Sequence, residues 1–459
     1  MSVKTAKRCK VLAGLSFLAS VIGLGSCDNK LSPIQEGLSS PPDLNLPSVF
    51  ESFSPDSGGI GTQLVIHGQN FGSDTSYLKV TVNDKPAAIV GANDHTIYAI
   101  VPARADTGYV RLYVGKGEHV EEYSSKNKFR YQFKRNVTTL MGQQGEAARE
   151  DGPYTEAKLR RPWFLLTDKD GTVFEIDEGR GQKQDGALRR AKEGVIETLV
   201  QCSNGPFQSP TCLAFSPNQD TLYISQFNFS GSGDADGGGV NTDFNVIYVT
   251  RDGGFMDVKG LCKFKSGGTQ GLAVHPHTGE VFFHNRGTGY VYRYVGPGYE
   301  DYEPLFQINN ANNYNARMVF NPEGTILYIV ACDRHCIYKV DYNATTHTFG
   351  SPVLFAGAWD ESGYVNGTGV TARFNKPRQP SFDEDGNMFV PEKSSHIIRK
   401  ITPAGEVSLY AGIPNQSGFA DGLPETAKFN QPEAVTVYKD NSVYVADRDN
   451  HVVRRVTVE

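Results

Sequence analysis

From Pro47 to Phe133 apolar and polar residues alternate in short runs. They are Gln63-Leu64-Val65-Ile66-His67, Leu78-Lys79-Val80-Thr81-Val82, Thr96-Ile97-Tyr98-Ala99-Ile100 and Tyr109-Val110-Arg111-Leu112-Tyr113-Val114. A period of two places every second side chain on one face of a strand. Turn residues separate the runs, so two packed sheets are expected over this stretch. Beyond it the pattern changes from simple alternation to self-similarity. Ala372-Arg373-Phe374-Asn375-Lys376-Pro377 matches Ala427-Lys428-Phe429-Asn430-Gln431-Pro432, and the run from Met388 to Ile401 matches that from Val443 to Val456. The offset is 55 throughout, which is the mark of a repeat architecture.

Weaker copies extend the series backwards through Leu327–Val330, Val281–Phe283, Leu222–Ile224 and Val173–Ile176. The linkers repeat as well. Leu140-Met141-Gly142, Phe355-Ala356-Gly357 and Tyr410-Ala411-Gly412 are each followed, nine residues after the Gly, by Asp151-Gly152, Asn366-Gly367 or Asp421-Gly422. The segment 137–459 therefore holds close to six units of about four short strands. A ring buries the faces that one such sheet cannot bury alone. The last unit stops after its third strand, so Asn136–Met141 is expected to supply the fourth, pair with Val452–Val458 and lock the ring.

Three resemblances sharpen this reading. Phe53-Ser54-Pro55, Gly58-Gly59, Gly61 and the run Leu64-Val65-Ile66-His67-Gly68-Gln69-Asn70-Phe71-Gly72 resemble the IPT/TIG family of immunoglobulin-like domains. That family implies a sandwich acting as spacer or docking module. Asn450-His451-Val452, Ser395-His396-Ile397 and Arg334-His335-Cys336 resemble the Asn-His-Leu run of NHL repeats, which form β-propellers. The fold class expected is all-β: an IPT/TIG sandwich followed by a six-bladed NHL-type β-propeller. Third, Lys4, Lys7, Arg8 and Lys10 precede an apolar run ending in Leu24-Gly25-Ser26-Cys27. This is a secretory signal pattern, and it resembles the lipobox of bacterial lipoproteins, which implies lipidation of Cys27. Pro33, Pro41, Pro42 and Pro47 make the next stretch a tether. The expected divisions are 1–26 signal peptide, 27–46 lipidated Cys and tether, 47–135 IPT/TIG domain and 136–459 propeller.

Charge narrows the partners. The 459-residue chain has a net charge of −6, and removing the four leader cations makes the remainder more acidic. Nucleic acid needs a net basic face, so it is not an expected partner. Five cysteines remain beyond the leader and Cys27: Cys202, Cys212, Cys262, Cys332 and Cys336. Cys332 and Cys336 could face each other as a small bridge. With His335 they also make three zinc-type ligands, but no fourth is near. Asp234 and Asp236 lack the further ligands of a calcium loop, and His275, His277 and His284 fit no standard spacing. No metal, cofactor or catalytic residue is expected. The three NHL-slot histidines, His335, His396 and His451, are expected to satisfy backbone groups at a blade turn.

Ligands of propellers sit on a face or at the channel mouth. The loops after the second strand of each blade and the blade-linking loops mix polar groups with aromatic rings, which suits sugars. The candidate ligand-binding residues are Trp359, Tyr364, Tyr154, Arg180, Asn285, Arg286, Arg334, Glu392, Asp447 and Arg448. For Trp359 packing against the next blade is the alternative, and for Trp163 core packing is expected. The whole arrangement resembles lipoproteins of Bacteroidetes that accompany outer-membrane glycan importers. It implies a protein at the outer membrane, held by lipid, that captures a poly- or oligosaccharide for a transporter. A lyase or hydrolase at the channel mouth and a protein-docking platform are the alternatives.

Overall fold

The computed structural model describes residues 39–178, 186–202, 207–227, 244–264 and 268–458. The signal segment, Cys27, Arg180, Asp234 and Asp236 lie outside them. None of the described helices is long and apolar enough to cross a membrane.

The first domain is built from the strands that alternation predicts. Leu78–Val82 and Thr96–Ile100 have the expected bounds, while Gln63–Gln69 and Gly108–Lys116 run slightly longer. Leu64, Ile66, Val80, Val82, Ile97, Ala99, Val110 and Leu112 turn inward and make one core. Gln63, His67 and Lys79 face out, as a half-buried sheet requires, while Thr81 is buried. The Gly68–Gly72 turn has a steric reason for its composition. A Cβ on Gly68 would fall 1.8 Å from the Val49 carbonyl oxygen, and Gly72 has φ +68°. Only glycine tolerates both. Residues 40–46 lie against this turn. Asn70 donates to the carbonyls of Asp43 and Leu46, and the Asp43 N–H donates to Asn70 Oδ1.

Six further sheets follow, and they are the blades of a propeller. Their inner strands begin at Pro162, Pro210, Thr269, Ala316, Ser381 and Pro432. The sixth blade is completed from the other end of the repeat array. Arg135–Met141 pairs antiparallel with Val452–Val458, with Val137 opposite Val456. The ring is sealed as the truncated last unit requires.

The histidines follow the expected backbone role, and they bridge blades. His335, His396 and His451 all adopt the left-handed conformation. His335 Nδ1 accepts the Lys376 N–H (3.1 Å), His396 Nδ1 that of Gln431 (3.1 Å), and His451 Nδ1 that of Arg161 (3.2 Å). Burial holds all three rings below the ordinary imidazole value, which keeps Nδ1 free to accept. Gly357, Gly412 and Gly142 repeat because each lies against the carbonyl of one of these histidines, where a Cβ would fall within 2.9 Å of the oxygen.

A second repeated device lies inside the blades. Arg189, Arg399 and Arg454 are fully buried. Arg399 pairs with Glu392 (2.6 Å) and Arg454 with Asp447 (3.0 Å), while Arg189 lies 3.8 Å from Asp177. Each also donates to linker groups, and Asp151, Asn366 and Asp421 accept in corresponding places. The hairpin turns at Asp168 and Asp383 follow the turn chemistry seen in the sequence. Each carboxylate accepts from backbone N–H groups two and four residues on.

All five cysteines are buried, and Cys212, Cys262, Cys332 and Cys336 are free thiols. The bridge between Cys332 and Cys336 does not form. The two flank a single 3-10 turn, and Cys336 already belongs to the strand that leaves it.

His284 is fully buried and neither ring nitrogen has a partner among the described residues. Burial pushes its pKa down to about 3. The unfolded chain takes up this proton near pH 6.5 and the folded chain does not, so stability falls as pH drops from 6.5 towards 3. A single such group contributes a slope of about 1.4 kcal/mol per pH unit. His284→Phe, whose ring can keep the tilted contact with Tyr314 (centroids 4.7 Å apart in the native chain), should remove that slope. Chemical denaturation of both chains at pH 7, 6, 5 and 4 checks it, and parallel pH profiles would refute it.

Candidate ligand site at the channel mouth

One mouth of the propeller opens into a cavity of about 350 Å³ reached by residues of the first five blades. Register explains why. The inner-strand residues Pro162, Pro210, Thr269, Ala316, Pro377 and Pro432 pair with the residues ending the second strands. The next inner-strand position carries Trp163, Thr211, Gln270, Arg317, Arg378 or Glu433. In four blades that position is a β-bulge, skipped by the ladder at Trp163, Thr211, Gln270 and Glu433. A bulge re-aims its side chain away from the regular alternation. The residues just after the second strands form an outer ring: Glu178, Phe227, Arg286, Cys332, Lys393 and Arg448.

The bend into each inner strand is also built locally. Arg161, Ser209, Lys376 and Gln431 have positive φ and precede Pro162, Pro210, Pro377 and Pro432. The proline then fixes the entry of the strand. Three of these bends are pinned by the histidines described above.

Electrostatically the mouth is divided. Glu433, fully buried, is its acidic hub. Arg378 Nε lies 3.0 Å from its carboxylate, Lys393 Nζ contacts it, and Arg448 Nε lies 3.9 Å away. Burial alone would raise the Glu433 carboxyl, but Arg378, Lys393 and Arg448 outweigh it and hold it below its ordinary value. Arg448 also grips Glu178 at 2.7 Å. Trp163 stands among these cations, with Arg317, Lys393 and Arg448 each 5.6–5.7 Å from its ring centroid. Such contacts fix the ring without using its indole N–H. Among the described residues that N–H has no partner, and neither do Nε of Arg286, Nε of Arg317, Oδ1 of Asn315 or Oε1 of Glu178. Buried donors and acceptors are normally satisfied, so this mouth is equipped to meet a polar ligand.

The other end of the channel differs. Its cavity of about 250 Å³ is lined mainly by apolar inner-strand residues such as Leu166, Phe215, Val274 and Phe320.

Among the residues expected from sequence, Arg286 lines the polar cavity and Arg448 adjoins it through Trp163 and Glu178. Arg180 lies outside the described residues, and the others lie elsewhere. Glu392 and Asp447 are fully buried on Arg399 and Arg454. Tyr364 stacks on Arg399 at 4.9 Å. Trp359 packs edge-on against Tyr314 (5.7 Å) and Tyr338 (6.1 Å) and carries Arg334, which pairs with Asp360 at 2.9 Å. Tyr154 packs on the core between the sixth and first blades. The Asn285 carboxamide caps the turn at Thr288. Trp163, expected in the core, packs against it on one side and lines the cavity on the other. Arg317, Arg378, Lys393 and Glu433 were not singled out by sequence. The repeated Lys376-Pro377 and Gln431-Pro432 steps carried the signal, one residue short of Arg378 and Glu433.

Comparison with known proteins follows the same division. Residues 48–131 match the IPT/TIG domain family. A solved auxiliary nutrient binding protein from Bacteroides thetaiotaomicron is 28% identical, with a TM-score of 0.63, over 91% of this chain and 99% of that one. A second, from Bacteroides ovatus, is 26% identical with a TM-score of 0.64, over 92% of this chain and all of that one. NHL repeat-containing protein 2 of Gallus gallus is 33% identical over 84 residues. The chain is an IPT/TIG domain joined to an NHL-type propeller. The match to the Gallus gallus protein covers 18% of this chain and 11% of that protein.

Proposed function

We propose that this protein captures a poly- or oligosaccharide at the polar mouth of its propeller, on the outer membrane and beside a glycan importer. Lipid on Cys27 would hold it there, with the IPT/TIG domain as spacer. The observation that carries the reading is the cavity at the mouth, with unpartnered donors and acceptors side by side. Sugar hydroxyls offer both functions at once. The full-length likeness to two Bacteroides nutrient binding proteins supports a binding role at the cell surface. Anchoring makes modest affinity sufficient, because a tethered head samples a high local ligand concentration.

Affinity gel electrophoresis against a panel of plant, algal and host glycans tests this. At least one glycan should retard the protein, and Trp163→Ala should weaken that retardation about 10-fold, as for a buried aromatic contact. A panel with no retardation overturns the reading.

A further inference from the structure

The proposed capture site has a charge pattern that specifies its ligand further, on the premise that the capture reading holds. Five cationic and two acidic side chains line the cavity of a chain whose net charge is −6. The cations fall into two groups. Arg378 and Lys393 are neutralised by the Glu433 hub, as is Arg448 beside them. Arg286, Arg317 and Lys376, on the third, fourth and fifth blades, have no carboxylate partner among the described residues. Arg317 is the most telling. Only 2% of it is exposed, it donates to the Gln270 carbonyl, and its Nε has no partner among the described residues. Arg286 is half-buried against Phe227, with its Nε also unpartnered.

A buried cation without an anion is costly, and natural proteins pair such groups. Here the neighbouring acidic groups are already engaged: Asp333 lies 3.7 Å from Arg378 and accepts from Asn315, and Glu178 is held by Arg448. We infer that the mouth binds an anionic saccharide, whose carboxylate or sulfate oxygens are received by Arg286 and Arg317 and flanked by Lys376. The guanidinium fork suits either oxyanion. The remaining hydroxyls face Asn315 Oδ1, Glu178 Oε1 and the Trp163 indole N–H.

The test compares polygalacturonate, chondroitin sulfate and neutral galactan and xyloglucan by affinity electrophoresis at fixed low salt. Wild type is run beside Arg286→Gln and Lys376→Gln, which sit at half-buried and exposed positions and should fold even where Arg317→Gln does not. Retardation by polygalacturonate or chondroitin sulfate, weakened about 10-fold in both variants, bears the inference out. The carboxylated and sulfated arms tell the two oxyanions apart. Retardation by a neutral glycan alone overturns the anion assignment and leaves the capture reading standing. Anionic retardation unchanged in both variants also overturns it, since the charge would then be met elsewhere. Retardation by none of the four and by nothing in the wider panel overturns both.

Discussion

Replacing Arg454 by methionine should destabilise the propeller by about 3–5 kcal/mol, the cost of leaving a buried charge unpaired. Arg454 donates to Asp447 (3.0 Å), to the carbonyls of Lys428 and Ala420, and to Asp421. Its guanidinium is held between Phe419 and Phe429, 4.6 and 5.3 Å from the ring centroids. Without it Asp447 remains fully buried with a charge. Burial already pushes the Asp447 carboxyl up to about 6 against the pull of Arg454. In the variant the folded state should hold that proton more tightly still, while the unfolded chain releases it near pH 3.8. The penalty should therefore shrink as pH falls towards 6 and change little below that, where Asp447 holds its proton in both folded chains. Adding Asp447→Asn to Arg454→Met should recover part of the loss. Urea midpoints of the two single variants and the double variant measure this. A loss below about 1 kcal/mol for Arg454→Met would show that the pair contributes little.

Val137→Asp should open the ring. Val137 is fully buried among Ile398, Phe429, Val435 and Val456. Its backbone is tied on both sides, opposite Val456 in the sixth blade and by two hydrogen bonds to Gly422 in the linker. A carboxylate there has no cation in the core cluster, so the expected cost is about 3–4 kcal/mol. Asn136→Asp, one residue away and exposed, is the control and should change stability by less than about 0.5 kcal/mol. A protease site inserted between Gln144 and Gly145 gives a second readout. After cleavage the N-terminal piece should co-migrate with the propeller in the native chain and dissociate in Val137→Asp. Dissociation of the cleaved native chain would show that strand pairing does not hold the seam.

Much of this architecture is legible in the sequence because it repeats. The 55-residue offset reports residues whose job recurs from blade to blade, three times each: the histidine on the next bend, the glycine beneath its carbonyl, the arginine in the blade. Their surroundings are equivalent, so their identities are too. The mouth is less legible for the opposite reason. Trp163, Thr211, Gln270 and Glu433 sit in bulges that break the period of two, so alternation assigns them no face. Glu392 and Asp447 illustrate the complementary case. They end strands at the right mouth, but an arginine seven residues later, at Arg399 and Arg454, draws each carboxylate into the blade. Tyr364 similarly covers Arg399, a role that sequence cannot separate from a sugar-stacking ring.

The two rings at the mouth carry a different side chain in nearly every blade, while the framework beneath them is nearly constant. Because a bulged residue stands outside the ladder, exchanging Gln270 leaves the flanking strand pairs intact. Chemical selectivity and foldability are thus carried by separate residues. A scaffold of this kind can be retuned one sector at a time, from acid to base or from ring to amide, without re-solving how the wheel closes.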